Sequence, residues 1–251
     1  MLDLRAHVRL VLGSLALLLL PTVAHAAPAP GGEDPVLYAL DQELARSFSL
    51  LEVERSAPFF IGLEAVEIER VSIQGEEGGL QGYSPKRTRW IHADVRIGDP
   101  KLDSSHPLRN GEWEGRRSGR RVTTGEDVSA LRHDIWKEID GTFRKARKRY
   151  ERVQADRMVL VEEEQTSWDL APVKPSQELH DRPTLSDLDL QQLEESIREA
   201  SRVFTMSKKT LDPTVSLTAE AVTQWFVSSD GHRIRHGSRR FRLSVHADTI
   251  A

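Results

Sequence analysis

Apolar residues recur along this chain with two different periods, and the periods mark out its elements. Leu37, Leu40, Leu44, Phe48 and Leu51 fall at steps of three and four, with Asp41, Glu43 and Arg46 between them. That spacing predicts an amphipathic helix running to about residue 54. Asp34-Pro35 suits its start, a capping carboxylate followed by proline at the first helical position. After Ala57-Pro58 the period drops to two. Phe59, Ile61 and Leu63 alternate with Phe60, Gly62 and Glu64, and then Val66 and Ile68 alternate with Glu67 and Glu69. A strand over residues 59–73 is predicted, with a bulge or bend near Ala65, where the phase shifts. Residues 75–82 read as a turn. A second strand follows over residues 87–97, in which Ile91, Ala93, Val95 and Ile97 alternate with His92, Asp94 and Arg96. It is expected to be the sheet centre and the hairpin partner of the first strand. Gly98-Asp99-Pro100 stops it, since proline has no N–H to give a ladder.

Residues 108–125 are polar, Gly-rich and Arg-rich (Arg109, Arg116, Arg117, Arg120, Arg121), and are expected as an exposed loop. The longest periodic stretch comes next. Leu131, Ile135, Ile139, Phe143, Ala146, Tyr150 and Val153 predict a helix over residues 129–153 whose other faces, carrying Arg132, Lys137, Arg144, Lys145, Arg147, Lys148 and Arg149, meet solvent. Residues 161–183 hold Glu162 to Glu164 and Pro172, Pro175 and Pro183, the composition of a linker. Ser186 and Asp189 form a capping-box-like start, with Leu185 as its staple, to a helix carrying Leu190, Leu193, Ile197, Ala200 and Phe204. Strands over residues 215–227 and 239–247, joined around Ser229-Asp230-Gly231, close the chain. In the last, Phe241, Leu243, Val245 and Ala247 alternate with Arg240, Arg242, Ser244 and His246. Helix, strands, helix, linker, helix, strands is the order of a two-layer α+β domain, an antiparallel sheet covered by long amphipathic helices. The divisions expected are a leader over 1–26, an N-terminal α+β region over 27–160, a linker over 161–186, and a helix plus antiparallel strands over 187–251 that complete the domain.

Composition changes this picture mainly at the N-terminus. Arg5 and Arg9 precede an apolar run over residues 10–20, and Ala24-His25-Ala26 places small residues where a signal peptidase reads. The run is too short to span a bilayer, so the layout is that of a secretory signal and the chain is expected to be exported, periplasmic or secreted. Removal of residues 1–26 takes the formal charge from −4 to −5. There is no cysteine, which excludes disulfides, thiolate zinc sites, a cysteine nucleophile and a lipid-anchored cysteine. No later apolar stretch approaches membrane length, so no membrane contact is expected after cleavage.

Candidate chemistry is sparse. Nine histidines invite a metal, but no H-E-x-x-H or H-E-x-x-x-H occurs. The pair His232 and His236 lies in or beside a predicted hairpin, where four residues span about 13 Å, too far to share one ion. His133-Asp134 falls on a surface helix and His92-Asp94 on the polar face of a strand, where solvated or structural roles are expected. Asp103 and His106, just past the second strand, are the best placed for function, since sites gather in loops. A nucleophile elbow, a P-loop and a dinucleotide fingerprint are all missing; where phosphate would sit in residues 75–82 there are Glu76 and Glu77. The basic loop and helix do not read as a nucleic-acid surface, because acidic residues are interspersed and the mature chain is net negative.

Several segments together resemble a known family. They are Phe59-Phe60-Ile61 running into Val66-Glu67, and Val95-Arg96-Ile97-Gly98-Asp99 followed by Leu102-Asp103 and His106. The helix from Leu131-Arg132-His133-Asp134 to Phe143-Arg144-Lys145-Ala146 and the turn Phe226-Val227-Ser228-Ser229-Asp230-Gly231-His232-Arg233 complete the set. In order and spacing they resemble the N-terminal domain of TldD/PmbA-type metallopeptidases over residues 36–251. The resemblance implies a two-domain zinc peptidase acting on unfolded or extended peptides, often as a dimer of like or related subunits. That family's metal site is an H-E-x-x-x-H helix with a later cysteine ligand, and this chain carries neither. The expectation is therefore a non-catalytic domain, from a truncated or split chain inactive on its own, that walls a substrate cleft and dimerises. Zinc is expected only in a C-terminal part outside these residues, and no catalytic, cofactor-binding or metal residue is assigned. The expected partners are an extended peptide and a like or related subunit, without nucleic acid. A stand-alone exported peptide-binding or scaffold module is the competing expectation, and metal-independent hydrolysis by His106 and Asp103 is the third.

Overall fold

The computed structural model describes residues 32–54, 56–108, 119–158, 168–206 and 210–249. The leader expected over residues 1–26, Arg109, Arg116 and Arg117 of the basic loop, and the acidic run Glu162 to Glu164 lie outside the described residues. The elements in order are α1 (Pro35–Leu51), β1 (Pro58–Glu76), β2 (Gly79–Ile97), β3 (Arg120–Val122), α2 (Val128–Met158), β4 (Gln177–Leu179), α3 (Leu190–Arg202), a 3-10 turn (Val203–Met206), β5 (Thr210–Ser228) and β6 (Arg233–Thr249). The fold is α+β: one six-stranded sheet in the order β3-β2-β1-β5-β6-β4, antiparallel except where β4 runs parallel to β6, with three helices.

Two long hairpins make the body of the sheet. Glu77 (φ +47°) and Gly78 (φ +84°) form a two-residue turn between β1 and β2, and positive φ at both positions matches the right-handed twist of the flanking strands. The strands therefore run well into residues 75–82, which were expected as turn. β5 and β6 form the second hairpin, and β1 pairs with β5 from Gly62–Ser228 to Gly75–Val215. The sheet centre is thus β1 and β5. β2, expected there, has on its outer side only the three residues of β3 among the described residues. That short strand falls inside the stretch expected as an exposed loop, and β4 inside the stretch expected as a linker.

The expected bulge near Ala65 does not occur either. Register shifts in the β1–β2 pair lie at its two ends, and the strand keeps one phase throughout. Ile61, Leu63, Ala65, Glu67, Val71 and Ile73 are all buried on the same face. Val66 and Ile68 sit on the opposite face, because a central strand can carry apolar residues on both sides. The apparent slip in the pattern is a charged residue, Glu67, occupying a core-facing position.

All three helices cover one face. α1 begins where the Asp34 carboxylate accepts the N–H groups of Val36 (2.9 Å) and Leu37 (3.3 Å), and α2 where Asp127 does the same for Ser129 (2.8 Å) and Ala130 (3.1 Å). These two helices bury Leu37, Leu40, Leu131, Ile135 and Ile139 against Ile61, Leu63, Ile91, Val95, Trp225 and Val227. α3 starts at the cap Asp189, three residues after the expected Ser186, and covers the other end of the sheet. There Ile197 and Leu185 pack on Val71, Ile73, Val215, Ala219 and Ala221. Gly75 lets α3 approach, since a Cβ at that position would lie 2.8 Å from the Ile197 side chain. Ser201 then fixes the helix to the β1–β2 turn by accepting the Gly78 N–H at 2.9 Å. It is Ser201 that is buried, while Ala200, expected on the apolar stripe, is exposed.

Candidate functional site

Asp103 and His106 lie where the chain leaves β2, and both are buried. They do not form an acid–base pair. The His106 ring nitrogen Nδ1 meets the Asp169 carboxylate at 2.9 Å, and that carboxylate also accepts the Asp103 N–H at 2.8 Å. Asp103 in turn takes the Ser105 N–H (2.5 Å) and the guanidinium of Arg96 (3.0 Å). The Ser104 hydroxyl accepts from the Ile97 N–H and that of Ser105 from the Arg96 guanidinium. With Leu170 N–H donating to the Pro100 carbonyl at 3.0 Å, the cluster clamps residues 168–170 onto the loop after β2. Arg149 of α2 joins it by donating to the His106 carbonyl at 3.2 Å. Expected on the solvent face, Arg149 is buried, whereas Tyr150 is only half-buried and lies against Gly98. Positions 149 and 150 both follow Ala146 by a helical neighbour step, so periodicity does not choose between them.

The other sequence candidates are scattered. Asp94 binds Arg96, and His92 packs under the backbone at Gly119. His133 stacks on Trp136 at 5.8 Å, and Asp134 accepts the Thr123 N–H. His232 sits in the β5–β6 turn, where its Nδ1 accepts the Ser176 N–H, while His236 is on β6 opposite Gln224. Among the described residues no three His, Asp or Glu side chains are placed to hold a metal ion. This donor set does not fit a zinc.

Sequence reasoning missed the largest polar cluster, at the middle of the helix-covered face. Glu67 and Arg89 are directly opposite each other on β1 and β2 and are both buried, Arg89 completely. The Glu67 carboxylate also accepts from Arg87 (2.9 Å) and Arg182 (2.9 Å). Arg89 spends its remaining donors on the carbonyls of Thr123, Thr124 and Gly125, which anchors the lead-in to α2. Burial pulls the Arg89 pKa below the usual arginine value, against the attraction of Glu67, with Arg87 and Arg182 adding repulsion. Arg182 stacks over the fully buried Trp225 at 5.2 Å, and the Trp225 indole N–H donates to the Asp34 carboxylate at 2.8 Å. Asp34 receives Arg235 as well, at 3.0 Å. Its own burial raises its pKa, but the bonds from Trp225, Arg235 and Leu37 and the charge of Arg182 together outweigh this and leave it below 3.8. The one legible signal was phase, since Glu67 and Arg89 stand at the core-facing positions of their strands.

Among the described residues β6, like β2 beyond β3, has an open outer edge. β4 pairs with β6 only at Arg233, Ile234 and Arg235, and Pro183 and Asp187 reach Gly237 and Arg239. Beyond these the outer edge of β6, to Thr249, has no strand partner among the described residues. Phe241, Leu243 and Val245 lie opposite Ala219, Leu217 and Val215, on the helix-covered face, yet they are 51, 64 and 60% exposed. α3 packs over β1, β2 and β5 and stops short of them. Backbone donors and acceptors on an open edge, beside bare apolar side chains, are the ingredients for adding another strand.

No family model matches the chain, and no curated protein matches it. Among solved structures it is similar to TldE from Thermococcus kodakarensis, with 8% identity, a TM-score of 0.45, and coverage of 85% of this chain and 40% of that one. It is similar also to a proposed modulator of DNA gyrase from Thermotoga maritima, at 10% identity, a TM-score of 0.44 and 84 and 40% coverage. A third, a proposed modulator of DNA gyrase from Bacteroides thetaiotaomicron, has 14% identity, a TM-score of 0.43 and 82 and 40% coverage. Gyrase modulation is said of those two proteins. This chain spans about two fifths of the length of the solved structures it is similar to.

Proposed function

We propose that this chain is an exported, non-catalytic docking domain of the kind its sequence resembles, the N-terminal domain of TldD/PmbA-type metallopeptidases, and that it takes up an extended peptide as an added strand on β6. The observation that carries the reading is the open outer edge of β6 with Phe241, Leu243 and Val245 bare beside it. Backbone pairing there would supply affinity, and the alternate side chains specificity. The apolar residues of an added strand would pack beside Phe241, Leu243 and Val245. The polar clusters support a structural role for the rest. Asp103, His106, Glu67 and Arg89 all spend their hydrogen bonds within the domain. Chemistry on the peptide belongs to a partner domain or subunit.

The test is fluorescence anisotropy of labelled, unstructured peptides of about ten residues titrated into the purified chain. Successive backbone N–H groups of β6 point alternately to β5 and outward, so one of Leu243→Pro and Ser244→Pro removes an outward donor. Saturable binding, lost in one of these two variants with circular dichroism unchanged, is expected. No binding by any peptide, or cleavage of the peptides by this chain alone, would overturn the reading.

A further inference from the structure

We infer that the strand taken by β6 is acidic, with carboxylates alternating with apolar side chains; this rests on the peptide-docking reading above and names its substrate class. The part of β6 beyond its pairing with β4, residues 236–249, carries Arg239, Arg240 and Arg242 against a single carboxylate, Asp248, although the whole chain is net negative. Arg239 is engaged by Asp187 and lies over the Phe241 ring. Arg240 and Arg242 are exposed and make no ion pair among the described residues. Their neighbours on β5 do not neutralise them. Arg242 stands opposite Thr218, and Arg240 opposite Glu220, whose carboxylate is held by Arg70 at 2.7 Å. Lys86 stands opposite Arg70 on β2, so the row running Lys86, Arg70, Glu220, Arg240 across the helix-free face holds three cations and one anion.

Strand geometry converts this into a pattern. Residues on an added strand that lie opposite Arg240 and Arg242 face the helix-free side, with Cβ atoms about 5 Å from theirs. Those between them face the helix side, beside Phe241, Leu243 and Val245. Carboxylates at the first positions and apolar side chains at the second satisfy both faces at once. A second copy of this chain fits worse, since it would lay a strand with three arginines and one carboxylate beside its own like.

The experiment compares three labelled peptides of equal length, apolar at alternate positions with Glu, Ser or Lys between. The Glu peptide is expected to bind about tenfold more tightly than the Ser peptide, the Lys peptide least, with the spread narrowing as salt rises. The double variant Arg240→Glu/Arg242→Glu is expected to invert the order. Equal binding of all three peptides, or an order that survives the double variant, would overturn the acidic assignment while peptide docking stands. Failure of all three to bind would bring down the docking reading itself. A dimer seen by light scattering that Leu243→Glu dissociates, without peptide uptake, would give the edge to a second copy and overturn both.

Discussion

The two ends of the long strands carry the same alternation of apolar and polar residues but reach different states. Toward the Ile97 end of β2 the core-facing positions Ile61, Ile91, Val95 and Val227 lie under α1 and α2 and are closed from solvent. Toward the Glu77-Gly78 turn the same phase continues through Val71, Ile73, Val215 and Ala219. Here one shorter helix, α3, covers β1, β2 and β5 and leaves Phe241, Leu243 and Val245 bare. Between the two ends stands the Glu67–Arg89 pair with Arg182 and Trp225. The contrast teaches that a stripe of apolar positions records only that a surface wants covering. Which element covers it is settled by where the helices land.

Three sets of substitutions break or sharpen this contrast. The largest effect is expected at the junction. Glu67→Gln leaves the fully buried Arg89 without its counter-charge and should cost about 3–5 kcal/mol in urea unfolding, whereas the double change Glu67→Met/Arg89→Met should recover much of that loss. A cost under about 1 kcal/mol would make the cluster a solvated surface pair. Next comes a direct comparison of the two ends. Ile135→Ala in the closed core should cost about 2–5 kcal/mol, and Leu243→Ala at the open edge no more than about 0.5 kcal/mol, by the same measurement. Equal losses would mean that the edge is covered in solution.

The smallest effect concerns Asp34, which caps α1 and holds Trp225 and Arg235. Asp34→Ala should cost about 1–2 kcal/mol at neutral pH. The pKa of Asp34 in the folded protein lies below 3.8, so its contribution is fully present above that value and is lost as pH falls through the lower folded value. Acid unfolding followed by circular dichroism should accordingly be less steep below about pH 4 in Asp34→Asn than in the parent. An unchanged acid limb would detach Asp34 from the network.

Local features of the structure were legible wherever the chemistry was local. The cap Asp34, the proline after it, the periodicity of α2 and the hairpin turn at Ser229-Asp230-Gly231 all act within a few residues of themselves. The clamp on His106 was half legible. Its loop position pointed to it, but its partner Asp169 is 63 residues away and comes from a stretch whose prolines read as linker. Glu67 produced a false bulge, because a charge at a core-facing position looks like a change of phase until Arg89 is known to stand across from it.

By itself, then, the sequence determined the three helices, the four long strands and the α+β class, since these follow from backbone sterics and from apolar spacing over one or two turns. Tertiary structure decided the rest. It set β1 and β5 at the centre instead of β2, turned Arg89 and Arg149 inward, matched Asp169 to His106, and left β6 open. Each of these depends on residues far apart in the chain meeting across the sheet, and alternation along a single strand carries no information about which strand will lie beside it.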